Sequence, residues 1–261
     1  MPCTGTRYAR RRKVFQIEAA GLVIRIENRF DYVHDLCAKY KTSPDRPADI
    51  TVSVSEEEIR WEIENAPEYD LDRDYCESVV IYKKISNALP PFEAFVMHSS
   101  AIAVDGGAYC IAAESGVGKS THTHFWQEAL GDRAVVINGD KPICRFMNGQ
   151  LMVFGSPWCG KENWQTNTSA PMRALCLLKR AQENAVYPVN AFELLGEIAP
   201  HFHLPGAGQV DMLKLMDLID QMLTQVPVYR LCCRNDISAA ETAIAFFGLT
   251  GSENKTDRSN E

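Results

Sequence analysis

"AESGVGKSTHTHFW", residues Ala113 to Trp126, closes a run of apolar residues and opens a stretch with helical spacing. It follows the phosphate-loop signature G-x-x-x-x-G-K-[ST] at Gly118, Lys119 and Ser120, with Ala113 where the first glycine would stand. Backbone N–H groups at a helix N-terminus meet phosphate oxygens, and the helix dipole adds to their pull, so the positions around Gly116 to Lys119 matter most. Alanine at the loop entrance costs only backbone freedom. Ser115, Gly116, Val117, Gly118, Lys119, Ser120 and Thr121 are therefore the candidate nucleotide contacts. Lys119 would reach the terminal phosphates of ATP or another nucleoside triphosphate, and the Ser120 hydroxyl would ligate Mg2+. The competing reading is a glycine-rich turn that binds nothing.

A magnesium site needs a second piece, an acidic residue at the end of a neighbouring buried strand. "RAVVINGDKP" supplies Asp140 just beyond Val135, Val136 and Ile137. Its plainer reading is a surface aspartate in a left-handed Asn-Gly turn.

Working outward, "VFQIE" and "LVIRIE" flank Ala19-Ala20-Gly21 as a hairpin, and "DITVSVS" alternates as a half-buried strand does. Cys76, Val79, Val80, Tyr82, Ile85 and Leu89 recur at helical spacing until Pro90 and Pro91 end the helix. The expected organisation is an α+β lobe over residues 1–91, a phosphate-loop domain over 92–250, and a disordered tail over 251–261. Within the second unit, apolar runs over Ala94–Val104 and Ala108–Ala113 join through Asp105-Gly106-Gly107 as a hairpin. A helix then spans about Gly118 to Leu130, and "AVVIN" follows as a strand. A second hairpin turns at Asn148-Gly149, "ALCLLKR" is a buried strand, and Gln209–Gln225 is a helix. The strand "VPVYRLCC" and the helix "ISAAETAIAFF" close the chain. Hairpins interleaved with helices predict an α/β domain with a mixed sheet, because a purely parallel doubly wound sheet would not start with a hairpin.

Composition narrows the classes. A net charge of -7 opposes a nucleic-acid footprint, and the one dense basic run, Arg10 to Lys13, reads as a solvated terminus. Nine scattered cysteines without a CxxC pair fit reduced thiols. Glu18 and Arg25 interrupt the apolar stretch near the N-terminus, which leaves neither a signal peptide nor a membrane span. A cytoplasmic protein without membrane or nucleic-acid partners is expected.

Taken in order, "MHSSAIAV", "ESGVGKST", "INGDKP" and "FGSPWCGK" resemble the catalytic domain of HPr kinase/phosphorylase and its relatives, which share a fold with phosphoenolpyruvate carboxykinases. The resemblance covers about Ala94 to Arg180. The flanking segments look more like the HPr-kinase-like proteins of bacteria than like HPr kinase proper. It implies a mixed-sheet phosphate-loop kinase core, use of ATP and Mg2+, and self-association into a homo-oligomer. By the same resemblance His98 matches a histidine near the phosphate site, Lys119 and Ser120 match the loop's lysine and hydroxyl, and Asp140 matches the metal-associated second of two consecutive aspartates. The first of that pair, which serves those kinases as the base, is Gly139 here.

Something must orient and deprotonate the acceptor, and Asp140, His98 and Glu114 are the candidates. His98 on an apolar run is equally readable as a satisfied core residue. Lys161, in the loop "GSPWCGKEN", is a candidate contact to substrate or to the transferring phosphate, with Trp158 in the pocket wall; a tight packing turn is the alternative. Arg180, at the end of "ALCLLKR", is either a charge clamp or a surface arginine. Cys159 has no partner that would make it a nucleophile. His122 and His124 point about 200° apart on a helix and cannot share a metal, and His201 and His203 lack a visible third ligand.

The expected function is an ATP- and Mg2+-dependent kinase acting on a hydroxyl acceptor, either a serine of a peptide or protein or a small metabolite. A nucleotide-binding sensor or assembly module with little transfer activity is the reading that Gly139 favours. A carboxykinase-like enzyme is a third.

Overall fold

The computed structural model describes residues 13–65, 72–203 and 211–251. Most of the N-terminal basic run, the tail after Gly251 and the start of the helix expected from Gln209 lie outside the described residues.

The first elements build a three-stranded sheet. β1 (Lys13–Ala19) and β2 (Leu22–Asn28) form an antiparallel hairpin with Ala20 and Gly21 at positive φ in its turn. After α1 (Asp31–Leu36), β3 (Ile50–Ser53) joins β2 in parallel. Two helices cover the sheet. α2 (Glu56–Glu64) starts at a capping box between Ser55 and Glu58, and α3 (Arg73–Ala88) stops just before the two prolines.

The remaining strands form one nine-stranded mixed sheet. β4 (Ala94–Val96), β5 (Ser100–Val104) and β6 (Gly107–Ala112) lead through the glycine-rich loop into α4 (Lys119–Leu130). β7 (Ala134–Asn138) follows, then the hairpin of β8 (Ile143–Met147) and β9 (Gln150–Phe154), turned at Asn148-Gly149. The long β10 (Ser169–Arg180) precedes β11 (Ala185–Val189), α5 (Leu195–Ile198), α6 (Met212–Gln225), β12 (Val228–Cys233) and α7 (Ser238–Phe246). β10 is the spine. Its first residues pair antiparallel with β9, and the rest runs parallel between β6 and β12.

The mixed sheet is what the two hairpins predicted. The run Ala94–Val104, read as one strand, is instead two strands in different parts of the sheet: β4 pairs with β8, while β5 pairs with β6 and β7. The physical reason is a competing set of backbone partners. Met97 N–H donates to the Pro142 carbonyl and Ser99 N–H to that of Asp140, which pulls residues 97–99 out of line with both ladders.

Strand alternation explains why β6 and β10 are apolar throughout. Ala108, Cys110, Ala112, Leu175 and Leu177 face the core that α6 covers with Leu215, Leu218, Met222 and Leu223. Tyr109, Ile111, Ala174, Cys176 and Leu178 face the opposite core, under Trp126 of α4 and Ala240, Ala243 and Ile244 of α7. The third core, inside the small sheet, takes in Ala94, Val96 and Ile143 of the large one. Arg145 of β8 fastens the junction by donating to the carbonyls of Ala20 and Phe92. No helix among the described residues is long and apolar enough to cross a membrane.

His122 of α4 is buried between layers. Trp126 Nε1–H donates to its Nε2 at 3.0 Å, so the proton sits on Nδ1, facing Cys233 Sγ at 3.8 Å. Burial, with no carboxylate partner, pulls its pKa from 6.5 down to about 4. The unfolded chain therefore takes up this proton first as pH falls, and stability present above pH 6.5 is lost between there and about pH 4. Urea unfolding across that window should show this loss for the wild type and a flatter profile for His122→Gln. Identical pH profiles would remove His122 as the cause.

Candidate functional site

The loop from Ala113 to Gly118 leaves the end of β6 and enters α4. Ala113 is buried and has ordinary φ, so the absent first glycine removes nothing the backbone requires. Gly116 (φ 78°) and Gly118 (φ 121°) are different, because side chains disfavour that backbone conformation. Gly118 precedes the first turn of α4 without a side-chain cap. The N–H groups opening that turn have no intrahelical carbonyl to bond and are free for an anion. Ser115, Gly116, Gly118, Lys119, Ser120 and Thr121 all line one cleft of about 910 Å³. Val117 turns its side chain onto the core behind the loop and donates its N–H to the Glu114 carbonyl.

Asp140 stands across the cleft, on a turn shaped by one buried amide. The Asn138 side chain, fully buried at the end of β7, accepts from the N–H of Asp140 (2.8 Å) and of Lys141 (2.7 Å). Its NH2 group donates to the carbonyl (3.0 Å) and hydroxyl (3.1 Å) of Ser156 and reaches the Trp158 carbonyl (3.3 Å). The Ser156 hydroxyl donates in turn to the Lys141 carbonyl at 2.6 Å. This is an Asx turn tied to a second loop rather than a left-handed Asn-Gly turn, since Gly139 is not at positive φ. Gly139 is required by space instead. A Cβ there would lie 2.9 Å from the Cys159 carbonyl oxygen, so the position has no room for a side chain.

Three cationic or hydrogen-bonding groups converge on the Asp140 carboxylate. Lys119 Nζ and His98 Nε2 both reach Oδ1, at 2.8 and 2.9 Å, and Lys141 Nζ bonds Oδ2. Burial works against the charge, but the His98 hydrogen bond and the two lysines outweigh it and hold this carboxyl far below the usual carboxylate range. Burial pulls Lys119 down, opposed by Asp140. His98 lies in the break between β4 and β5, partly exposed to the cleft, so it is not a core histidine. The backbone bond from Ser99 N–H to the Asp140 carbonyl fixes that juxtaposition.

Lys161 and Trp158 line the same cleft, and Lys161 is exposed. Arg180 lines it too, with its guanidinium donating to the carbonyls of Gly116 (2.6 Å) and Val117 (2.9 Å). Cys159 is buried, and burial pushes its thiol up, opposite to what a nucleophile needs. His122 is buried and His124 exposed, on different sides of α4. His201 lies 6.3 Å from His98 with the two rings tilted, whereas His203 lies against Tyr82, and among the described residues no three His, Cys, Asp or Glu side chains gather as a metal cage.

Four contributors escaped sequence reasoning: Asn138, Ser156, Lys141 and the wall formed by α1 and α3. Tyr75, Val79 and Tyr82 of α3, at i, i+4 and i+7, face the cleft together with Tyr32 of α1. Tyr82 packs 5.8 Å from Trp158 and 5.6 Å from the Lys141 ammonium. Periodicity signalled the helix, but its apolar residues divide between the lobe's core and the cleft.

Ser120 and Asp140 supply a hydroxyl and a carboxylate, the hard oxygen donors that Mg2+ takes from a protein when phosphates and water complete its octahedron. The residues present therefore fit a magnesium nucleotide.

No protein-family model matches the chain, and no curated protein matches it. Among solved structures, the Hpr(Ser) kinase/phosphatase from Coxiella burnetii is similar over 59% of this chain and 96% of its own, at 12% sequence identity and a TM-score of 0.36.

Replacing Asn138 by leucine keeps the branched heavy-atom shape and orphans buried donors and acceptors on two loops, which should lower the unfolding free energy by about 3 kcal/mol. Gly139→Asp should likewise lower it, by about 1–3 kcal/mol, through the clash at the Cys159 carbonyl. Urea midpoints measure both, and an unchanged midpoint for Asn138→Leu would show that the amide is not what holds the turn.

Proposed function

We propose that the chain is a phosphotransferase that passes the terminal phosphoryl group of a nucleoside triphosphate, with ATP the expected donor, to a hydroxyl acceptor. The observation that carries this reading is the placement of Lys119, at the mouth of the loop, within 2.8 Å of Asp140 in one large cleft. A lysine of the kind that meets phosphate and a carboxylate of the kind that meets metal are in contact at one wall of that cleft.

The N–H groups of the first turn of α4 hold the phosphate oxygens, and Lys119 moves from Asp140 to the terminal phosphates. Ser120 and Asp140 hold Mg2+, which when bound supplies charge neutralisation on the phosphates. Both oxygens of Asp140 are engaged by donors, which leaves its partner His98 as the candidate base. With His98 Nε2–H donating to Asp140 Oδ1, His98 Nδ1 carries a lone pair and takes the acceptor's hydroxyl proton. The acceptor oxygen then bonds to the γ-phosphorus, the bond from that phosphorus to the β,γ-bridging oxygen breaks, and the nucleoside diphosphate leaves. Arg180 positions the loop, and Lys161 adds positive charge to the cleft. The tyrosine wall from α1 and α3, with Trp158, forms the acceptor's side and favours a small molecule or an exposed peptide segment that lays an apolar or ring face on it.

A second reading rests on Gly139, which carries no carboxylate and has no space for one. Under it the cleft binds nucleotide and transfers little.

Isothermal titration with ATP and GTP, together with nucleotide turnover in water, separates the possibilities. Lys119→Ala should weaken nucleotide binding at least tenfold and abolish turnover. His98→Gln should leave affinity near wild type and reduce the turnover number about a hundredfold. Binding by the wild type that Lys119→Ala does not alter would overturn nucleotide binding at this loop. Normal turnover in His98→Gln would remove the histidine as base.

A further inference from the structure

Lys141 is not part of the loop signature, yet its placement is as constrained as that of Lys119. Its N–H is bonded by Asn138 and its carbonyl by Ser156, so the backbone is fixed from both sides while the side chain projects, about one-third exposed, into the cleft. The ammonium holds Asp140 Oδ2, and the Tyr82 ring lies 5.6 Å from it as a second resting place.

The charges around Asp140 do not balance. One carboxylate faces two permanent cations, Lys119 and Lys141, and a hydrogen bond from His98, so both of its oxygens are taken and the cluster carries a net positive charge. A divalent cation arriving alone would meet two ammonium groups already on Asp140, with Glu114 and Glu162 the other carboxylates lining the cleft. A polyphosphate arriving alone would meet two lysines ready to move onto it. We infer that Lys141 is a second phosphate-binding cation, and that Asp140, Lys119 and Lys141 form a site that takes polyphosphate before metal. The inference rests on the loop's holding phosphates, as proposed above. Once phosphate oxygens engage both lysines, Asp140 is released as a metal ligand, and the metal completes its shell on phosphate already in place.

Inorganic tripolyphosphate tests this without reference to the nucleotide base. In EDTA the wild type should bind tripolyphosphate by isothermal titration, whereas Mn2+ added alone should show no binding by electron paramagnetic resonance. Lys141→Met should weaken metal-free tripolyphosphate binding about tenfold or more, the loss of one charge-assisted contact. It should also let Mn2+ bind without phosphate, which a merely structural role for the lysine would not produce. Lys141→Arg should retain the wild-type pattern, and Lys141→Gln repeats the test should the methionine variant melt early. If Lys141→Met and Lys141→Gln bind tripolyphosphate as the wild type does while Lys119→Met does not, the loop holds phosphate and Lys141 has no part in it. If the wild type binds Mn2+ alone, the order is wrong. Failure of the wild type to bind tripolyphosphate would overturn the loop reading and this inference together.

Discussion

The buried amide of Asn138 is the constraint on which the site depends. A primary amide brings two donors and an acceptor with two lone pairs, and here every one is used inside the protein, between the end of β7 and the loop at Ser156 to Trp158. Inside a protein such a network is strong when complete and costly when broken. It therefore fixes the turn that presents Asp140 and Lys141, and it brings up the loop that carries Trp158. Gly139 follows from the same approach of two chains, since the Cys159 carbonyl occupies the space where a Cβ would go.

The second organising feature is an excess of positive charge in a chain whose net charge is negative. Lys119, Lys141, Lys161 and Arg180 all line the cleft against Glu114, Asp140 and Glu162. Low local dielectric strengthens their pull on an anion, and the open N–H groups of α4 add to it. Asp140 is the shared partner of two of these cations, Lys119 and Lys141.

The cleft also joins the two parts of the chain. The small sheet and its helices share a core with β4 and β8, and α3 offers one face to that core and another to the cleft. The tyrosine wall and the glycine-rich loop are consequently held to each other through packed side chains and the Arg145 contacts rather than through a linker.

Much of the fold was legible because hairpin turns, helix stops and the strand–loop–helix around Gly118 are local: Ala20-Gly21, Asn148-Gly149 and Pro90-Pro91 act through their own backbone preferences. The glycine-rich loop before α4 was legible for the same reason, since Gly116 and Gly118 take backbone conformations that side chains disfavour. Tertiary structure decided the rest. The break at His98 exists because residues 97 and 99 bond to Pro142 and Asp140, about forty positions away in sequence, and nothing in "FVMHSS" records those partners. Asn138, Ser156 and Lys141 read as ordinary polar residues until the fold sets two loops against each other. Gly139, which looked like a lost catalytic group, proved to be a steric requirement of that contact. The sequence by itself determined the strand, the glycine-rich loop and the helix around Gly118, because those backbone preferences are local. Only the tertiary structure decided which charges meet one another, because hydrogen bonds and steric exclusion act between segments that are distant along the chain.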